Sequence, residues 1–508
     1  MYIKKNIDAK NIFLLRFLII LAVLFILRIF FMLNYNLLVE EAYYWNYAQH
    51  IDFSYLDHPP MVAILVKFGT LLFGANEWGV RAATFFCWAF TLFFSFKLSN
   101  LVKQGAGIFS LLLVCILPFF FIHSLIITPD IPLILSWSAS LYYLYRACVR
   151  EEKNCWYWAG FWIGAGLLSK YTIVLLGPAT LCYLLIVPSA RKWFLRKEPY
   201  FCALLALILF SPVIYWNATH QWASFLFQST RRLQAHDSFS LHIFIGLLIV
   251  YLTPAGFWAT FKLFAKPSNI QNQLDRHTKY FFQIFTAIPL LVFLIFSLFH
   301  TLKINWIGPS LLATIPWLAI MLKENEPTLG YSARRSWFIT GVILFIGYST
   351  VLLCIVTGKP EKINEYLFHK LMPWDNLTKQ VHNIADDFQK RHGEKLIIVP
   401  LDLYNIGSEL IFYQQKQFND KKIKDIYKII GSHIFQTNSL MYQYWGGLDD
   451  VSGKTLLLIS KEPYRFNNEY IFRDTTPLSP LLIIHARNKL TGNNSKIFYY
   501  KIVKMREA

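Results

Sequence analysis

Two acids stand side by side at Glu40-Glu41, where the first long apolar run of the chain gives way to polar sequence. Adjacent carboxylates repel, and burial raises a carboxyl pKa toward the range useful for a general base. A base here would take a proton from a hydroxyl; the plain alternative is a pair of solvated loop acids. Asp57-His58-Pro59-Pro60 puts a carboxylate and an imidazole at a rigid corner, or else forms a turn in which the Asp accepts local backbone bonds. Thr128-Pro129-Asp130 sets an acid at the start of another apolar run, where helix capping and chemistry weigh equally. The cations are Lys170 within Gly166-Leu-Leu-Ser-Lys-Tyr171, Arg231-Arg232 beyond Trp216-Asn217, and Lys303 before Ile304-Asn305-Trp306. One Lys near a helix end snorkels to the interface. Several cations on one face suit a phosphate or diphosphate.

The elements that must position these groups follow from composition. Of 508 residues, 55% are hydrophobic and 16% charged, against about 25% charged in soluble domains. The deficit is uneven: residues 358–508 hold 22 basic and 16 acidic side chains, while residues 1–357 hold 27 and 14. The first part reads as a membrane domain and the second as a soluble domain, so the net charge of +19 is no sign of nucleic acid. Apolar stretches able, or nearly able, to span a bilayer occur at about 11–33, 79–102, 106–122, 130–147, 157–170, 172–189, 201–216, 241–264, 280–299, 305–322 and 336–357. With the N-terminus in the cytoplasm, 20 of those 27 basic residues fall on the inner side, as the positive-inside bias requires. Eleven spans then put the C-terminal domain outside, in the periplasm of a double-membrane bacterium. The other seven basic residues, Arg28, Lys67, Arg81, Lys170, Arg231, Arg232 and Lys303, lie toward the outer side. Glu40, Glu41, Asp52, Asp57, Glu77, Asp130 and Asp237 lie there too. Ionisable groups at membrane depth are costly and mark a pathway or site, so an outward-facing polar cavity is expected, with a lipid phosphate as its substrate.

Residues 34–78 form a long outer segment, helix-compatible over Glu40–Gln49, with an interfacial helix expected over Met61–Phe73. In the C-terminal part, residues 395–399, 455–459, 481–484 and 497–503 read as strands, and 374–388 and 405–413 as helices. That alternation predicts a small α/β domain. All seven cysteines precede residue 358 and none has CxxC spacing, so neither a metal cluster nor a disulfide framework is indicated.

The ordered set Glu41-Ala-Tyr-Tyr-Trp45, Tyr55-Leu-Asp-His-Pro-Pro60, Arg81, Thr128-Pro-Asp130, Gly166–Tyr171, Pro212–Asn217 and Lys303-Ile-Asn-Trp306 resembles the bacterial family 39 glycosyltransferases. These are polytopic GT-C enzymes related to the dolichyl-phosphate-mannose protein mannosyltransferases and the lipid A aminoarabinose transferase. Ser408-Glu-Leu-Ile-Phe-Tyr413 and Leu440-Met-Tyr-Gln-Tyr-Trp445 are similar to the family's C-terminal domain. The resemblance implies a polytopic α-helical membrane protein of the GT-C fold, with about 11–13 transmembrane helices, spanning residues 1–357, and a periplasmic α/β domain at 358–508. It also implies an inner-membrane glycosyltransferase with a polyprenyl (undecaprenyl) phosphate sugar as donor. The acceptor would be lipid A or another envelope glycolipid, with a protein Ser or Thr as second choice.

By the same resemblance the family's outer-loop acidic pair falls on Glu40 and Glu41, either of which would be the base, with Asp130 a further acid in the pocket. Asp57, His58, Arg81, Lys170, Arg231, Arg232 and Lys303 would bind donor phosphate or substrate. A divalent metal between paired acids stays open beside an all-cation alternative. The runner-up function is a lipid-linked-sugar flippase or secondary transporter; no internal repeat supports it.

Overall fold

The computed structural model describes residues 15, 19, 22–33, 35–229, 238–265, 274–328, 331–357, 373–487 and 495–507. The membrane part is helical: α1 (Ala22–Leu33), α2 (Val39–Gln49), α3 (Met61–Phe73), α4 (Glu77–Val102), α5 (Gly107–Ile116), α6 (Pro118–His123), α7 (Asp130–Cys148), α8 (Cys155–Leu167), α9 (Leu176–Ile186), α10 (Glu198–Thr219), α11 (Ala223–Gln228), α12 (Leu241–Phe264), α13 (Arg276–Phe299), α14 (Ile315–Glu324) and α15 (Ala333–Thr357). A two-residue hairpin, β1 (Pro327–Thr328) with β2 (Tyr331–Ser332), precedes α15.

Among the described residues five helices are long and apolar enough to cross a membrane, or six if the bent pair Tyr171–Ile186 and Pro188–Leu195 is one span. The eleven stretches read from sequence are therefore not eleven uniform rods. The run at 106–122 breaks at Leu117, whose ψ of 132° is extended, so that Pro118 opens a new helix. The run at 305–322 begins as a 3₁₀ helix, Gly308–Thr314, before α14. Eight of the ten residues of α5 are buried against protein, so length is set there by helix packing rather than by bilayer thickness.

Two local features fix the parts that carry chemistry. At Gly69 in α3, an added Cβ would lie 2.3 Å from the carbonyl oxygen of Gly79 in α4, so only glycine lets these helices approach. That contact sets the start of α4, which carries Glu77 and Arg81. In α12 the helix breaks at Thr253 (φ 63°, ψ 162°), directly before Pro254, whose ring and missing N–H interrupt the helical ladder. Just before the break, the Tyr251 hydroxyl donates to the Ile304 carbonyl at 2.7 Å, holding the 303–306 segment.

The C-terminal domain contains α16 (Trp374–His392), α17 (Asn405–Asn419) and α18 (Glu469–Asp474), with strands β3 (Ile397–Pro400), β4 (Thr455–Ser460), β5 (Thr475–Pro477), β6 (Leu482–Arg487) and β7 (Ser495–Met505). β3 and β4 pair in parallel, and β7 runs antiparallel to β4 on one edge and to β5 and β6 on the other. All six residues of β4 are buried, as expected of a central apolar strand covered on both faces. Leu457 and Ile459 face a core shared with Leu410 and Phe412 of α17, while Leu456 and Leu458 face Ile434, Phe435 and Phe466. The four strands and two helices expected from sequence are all present; β5 and α18 are additional.

Candidate active site

The first turn of α2 carries both acids of the Glu40-Glu41 pair, and their environments differ. Glu41 is fully buried and forms an ion pair with the equally buried Arg81, Nη2 to Oε2 at 2.5 Å and Nε to Oε1 at 2.9 Å. Arg81 donates its remaining N–H groups to the carbonyls of Met32, Tyr35 and Asn36 at 3.2, 2.9 and 3.0 Å. Glu41 also accepts from the Leu38 and Ile127 backbone N–H groups at 2.9 and 3.1 Å. The repulsion expected between neighbours is thus relieved, because one member is neutralised. Glu40 is half-buried. It lies within electrostatic reach of Tyr44 and Tyr404, and Tyr44 in turn senses Asp57 and Asp130. Tyr44 is therefore the point on which the three acids converge.

Asp57 is buried and accepts hydrogen bonds from the hydroxyls of Tyr47 and, at 3.3 Å, Tyr43. Burial pushes its pKa up to about 6, with the tyrosine bonds and the charge of Lys303 acting the other way. Its backbone carbonyl accepts from the Gln228 side chain. His58 meets Tyr44 edge to face, ring centroids 5.8 Å apart. The Trp216-Asn217 motif builds this corner from outside: Trp216 Nε1 donates to Asp52 at 2.9 Å, and Asn217 Oδ1 accepts from the Phe225 N–H at 3.1 Å, shaping the turn into α11.

Asp130 is the first residue of α7, yet its side chain makes no capping bond. It accepts instead from Lys170 Nζ and Asn305 Nδ2, each at 2.7 Å, with His123 Nε2 at 4.0 Å. The capping alternative raised by the sequence is thereby corrected: Pro129 is the N-cap, and the carboxylate turns inward because a buried ammonium faces it. Four membrane segments supply this cluster, from α6, α7, the turn after α8 and the 303–306 loop. His123 was invisible in the sequence, a lone His at the end of an apolar run. Arg231 and Arg232 lie outside the described residues.

Beside the cluster is a cavity of about 270 Å³. It is lined by Lys170, His58 and Gln228 together with the apolar side chains of Val174, Leu175, Val292 and Phe293 and with Trp306. An amphiphile with an anionic head fits that mixed lining. Lys303 is exposed on the same side, within electrostatic reach of Asp57. No group of three or more His, Cys, Asp or Glu side chains among the described residues is placed to hold a metal ion.

Helix α2 is covered by the C-terminal domain. Lys416 Nζ pairs with both Glu77 oxygens at 2.6 and 2.7 Å, and the Tyr413 hydroxyl donates to Glu77 at 3.2 Å while accepting from the Leu37 N–H at 2.9 Å. Asn46 donates to the Ser408 carbonyl at 3.2 Å. Glu409, wholly buried here, has neither carboxyl oxygen hydrogen-bonded among the described residues, and burial followed by the nearby Glu41 charge pushes its pKa well up.

Helical membrane part, acid-and-lysine pocket and appended α/β domain together define a multi-pass membrane protein with the GT-C fold. Residues 57–216 match the family model described as dolichyl-phosphate-mannose-protein mannosyltransferase. The fold is that of ArnT from Cupriavidus metallidurans, with TM-score 0.60, 14% identity and coverage of 97% of this chain and 98% of that one in the apo state. For ArnT bound to undecaprenyl phosphate the TM-score is 0.61, again at 14% identity, covering 95% and 97%. A lipid A galacturonosyltransferase, RgtD of Rhizobium johnstonii, is 24% identical over 194 residues, 37% of this chain. That match spans 41% of the relative's length.

Proposed function

We propose that this protein transfers a sugar from a polyprenyl (undecaprenyl) phosphate donor to a lipid A-type glycolipid of the bacterial envelope, on the periplasmic face of the inner membrane. The observation that carries the reading is the Asp130–Lys170–Asn305 cluster, whose Lys170 lines a cavity that also has several apolar side chains. A lipid phosphate fits with its tail along Val174, Leu175, Val292 and Phe293 and its head at Lys170. ArnT's complex with undecaprenyl phosphate and the lipid A relative support the donor and acceptor classes.

In the displacement, an acceptor oxygen attacks the anomeric carbon, the bond from that carbon to the phosphate oxygen breaks, and polyprenyl phosphate leaves. Positive charge builds on the sugar and negative charge on the departing phosphate, so fixed cations at Lys170 and Lys303 lower the barrier. When the acceptor is a hydroxyl, its proton passes to a carboxylate opposite the leaving group, inverting the anomeric centre. Glu40 takes that role, since Glu41 is held by Arg81. A phosphate acceptor would need no base.

Purified protein given a radiolabelled undecaprenyl-phosphate sugar and extracted envelope glycolipids transfers label to the lipid A fraction on this reading. Glu40→Gln and Lys303→Ala lower the transfer. Label released only to water, or moved only to protein, would refute the acceptor class.

A further inference from the structure

A second cavity, of about 200 Å³, lies in the C-terminal domain against the start of α2. It sits where the parallel strands β3 and β4 end: Asp402 follows β3, and Lys461 and Arg465 follow β4. The carboxyl edge of parallel strands is where α/β sheets hold ligands, because loops and helix N-termini converge there. Trp374 and Phe498 form an aromatic wall, ring centroids 6.0 Å apart. Val39 closes the membrane side, one residue before Glu40.

Its polar atoms are incompletely satisfied. Trp374 is 3% exposed, and its indole N–H is buried with no acceptor among the described residues. Asp402 uses one oxygen to accept from the Ile406 N–H at 3.0 Å, while its other oxygen, also buried, has no donor. Burial pushes the Asp402 pKa up to about 6, opposed by the Ile406 and Asn405 N–H groups. Arg465 donates through Nε to Glu462 at 2.7 Å and through Nη1 to the Leu401 carbonyl at 3.0 Å; its Nη2 makes no hydrogen bond among the described residues. Lys461 is exposed and forms no ion pair among them. Buried polar groups in folded proteins are nearly always partnered, so one orphan donor and one orphan acceptor in a single cavity call for a ligand with both functions.

The geometry points to this cavity as the acceptor subsite, taking a phosphorylated sugar ring. The aromatic wall would cover an apolar ring face, Asp402 and the Trp374 N–H would meet ring hydroxyls, and Arg465 with Lys461 would bind the phosphate. The assignment rests on the transferase reading. It adds that the acceptor is held against the start of α2, where Val39 of the cavity precedes Glu40.

The test is equilibrium binding to the full chain in phosphatidylcholine nanodiscs, with bisphosphorylated lipid A, dephosphorylated lipid A and free glucosamine 1-phosphate as probes and no donor present. The phosphorylated lipid is expected to bind at least about tenfold tighter than the dephosphorylated one. Lys461→Glu, an exposed change that leaves the fold intact, removes that preference, and Trp374→Phe weakens both lipids. Competition by glucosamine 1-phosphate assigns the site to the head alone, whereas lipid binding without competition assigns it to the head presented at a membrane. A preference for phosphate unchanged by Lys461→Glu, or no preference in the parent protein, overturns the proposal. Because nothing turns over in this assay, failure of sugar transfer would leave its outcome legible.

Discussion

Arg81 holds Glu41 through two of its nitrogens and fills its remaining N–H groups with three backbone carbonyls. The adjacent acids of α2 are thereby made unequal. One is an internal strut joining the end of α1, the start of α2 and α4; the other faces the tyrosines at the centre of the site.

Glu41→Gln and Glu40→Gln should consequently fail in different ways. Removing one partner of a buried pair costs about 3–5 kcal/mol, so Glu41→Gln lowers the unfolding midpoint and the yield of folded protein. Glu40→Gln, at a half-buried position, costs less stability than Glu41→Gln and lowers turnover of a hydroxyl acceptor by about 10²–10⁴-fold, measured by label transfer at saturating donor. Equal loss of stability in both would contradict the division of roles.

Asp130 and Lys170 predict a coupled pair. With 2.7 Å between them and both buried, Lys170→Met and Asp130→Asn should be non-additive by about 1–3 kcal/mol in unfolding. Lys170→Met alone weakens undecaprenyl-phosphate binding by an order of magnitude or more, since it removes a charge-assisted contact. Independent, additive effects would place the phosphate elsewhere.

Asp57 makes the site pH-sensitive. Its pKa is raised from 3.8 to about 6, so between those values the folded state binds the proton more tightly than the unfolded chain. Stability therefore falls as pH rises through that window. Asn at this position keeps an oxygen for Tyr43 and Tyr47 and carries no charge. Between pH 4 and pH 7, Asp57→Asn should gain about 2–3 kcal/mol on the parent protein, read from denaturation midpoints at the two pH values. A constant difference would mean that Asp57 stays ionised throughout.

Patterns of charge against apolar background showed in the sequence most of what the site contains. Asp57, His58, Asp130 and Lys170 stand in polar breaks between spans, and the structure gathers them around Tyr44 and one cavity. What the sequence withheld was pairing. Nothing local distinguishes Glu41 from Glu40, because the distinction is made by Arg81, 40 residues further on. Asp130 at a helix start is equally a cap until Lys170 is seen facing it. The strands of the C-terminal domain were legible as short β-branched and leucine-rich runs. Its grip on α2 was not, since Tyr413, Lys416 and Glu77 belong to segments more than 300 residues apart.

That grip should govern activity. Glu77, at the start of α4, receives Lys416 and Tyr413 from α17, and Tyr413 also accepts from Leu37 just before α2. Glu77→Gln keeps the Tyr413 hydrogen bond and loses the charge that holds Lys416, whereas Lys416→Met leaves Glu77 partly buried with Tyr413 as its remaining donor. Both variants should loosen the interface by about 1–3 kcal/mol, and the combined variant by little more than either, because the same contact is removed twice. Hydrogen exchange is the direct measurement: amides of residues 37–47 and 408–417 should exchange faster while those of β4 stay protected. Since α2 also carries Glu40, transfer should fall in step with that exchange. Faster exchange with unaltered transfer would show that the C-terminal domain does not position Glu40.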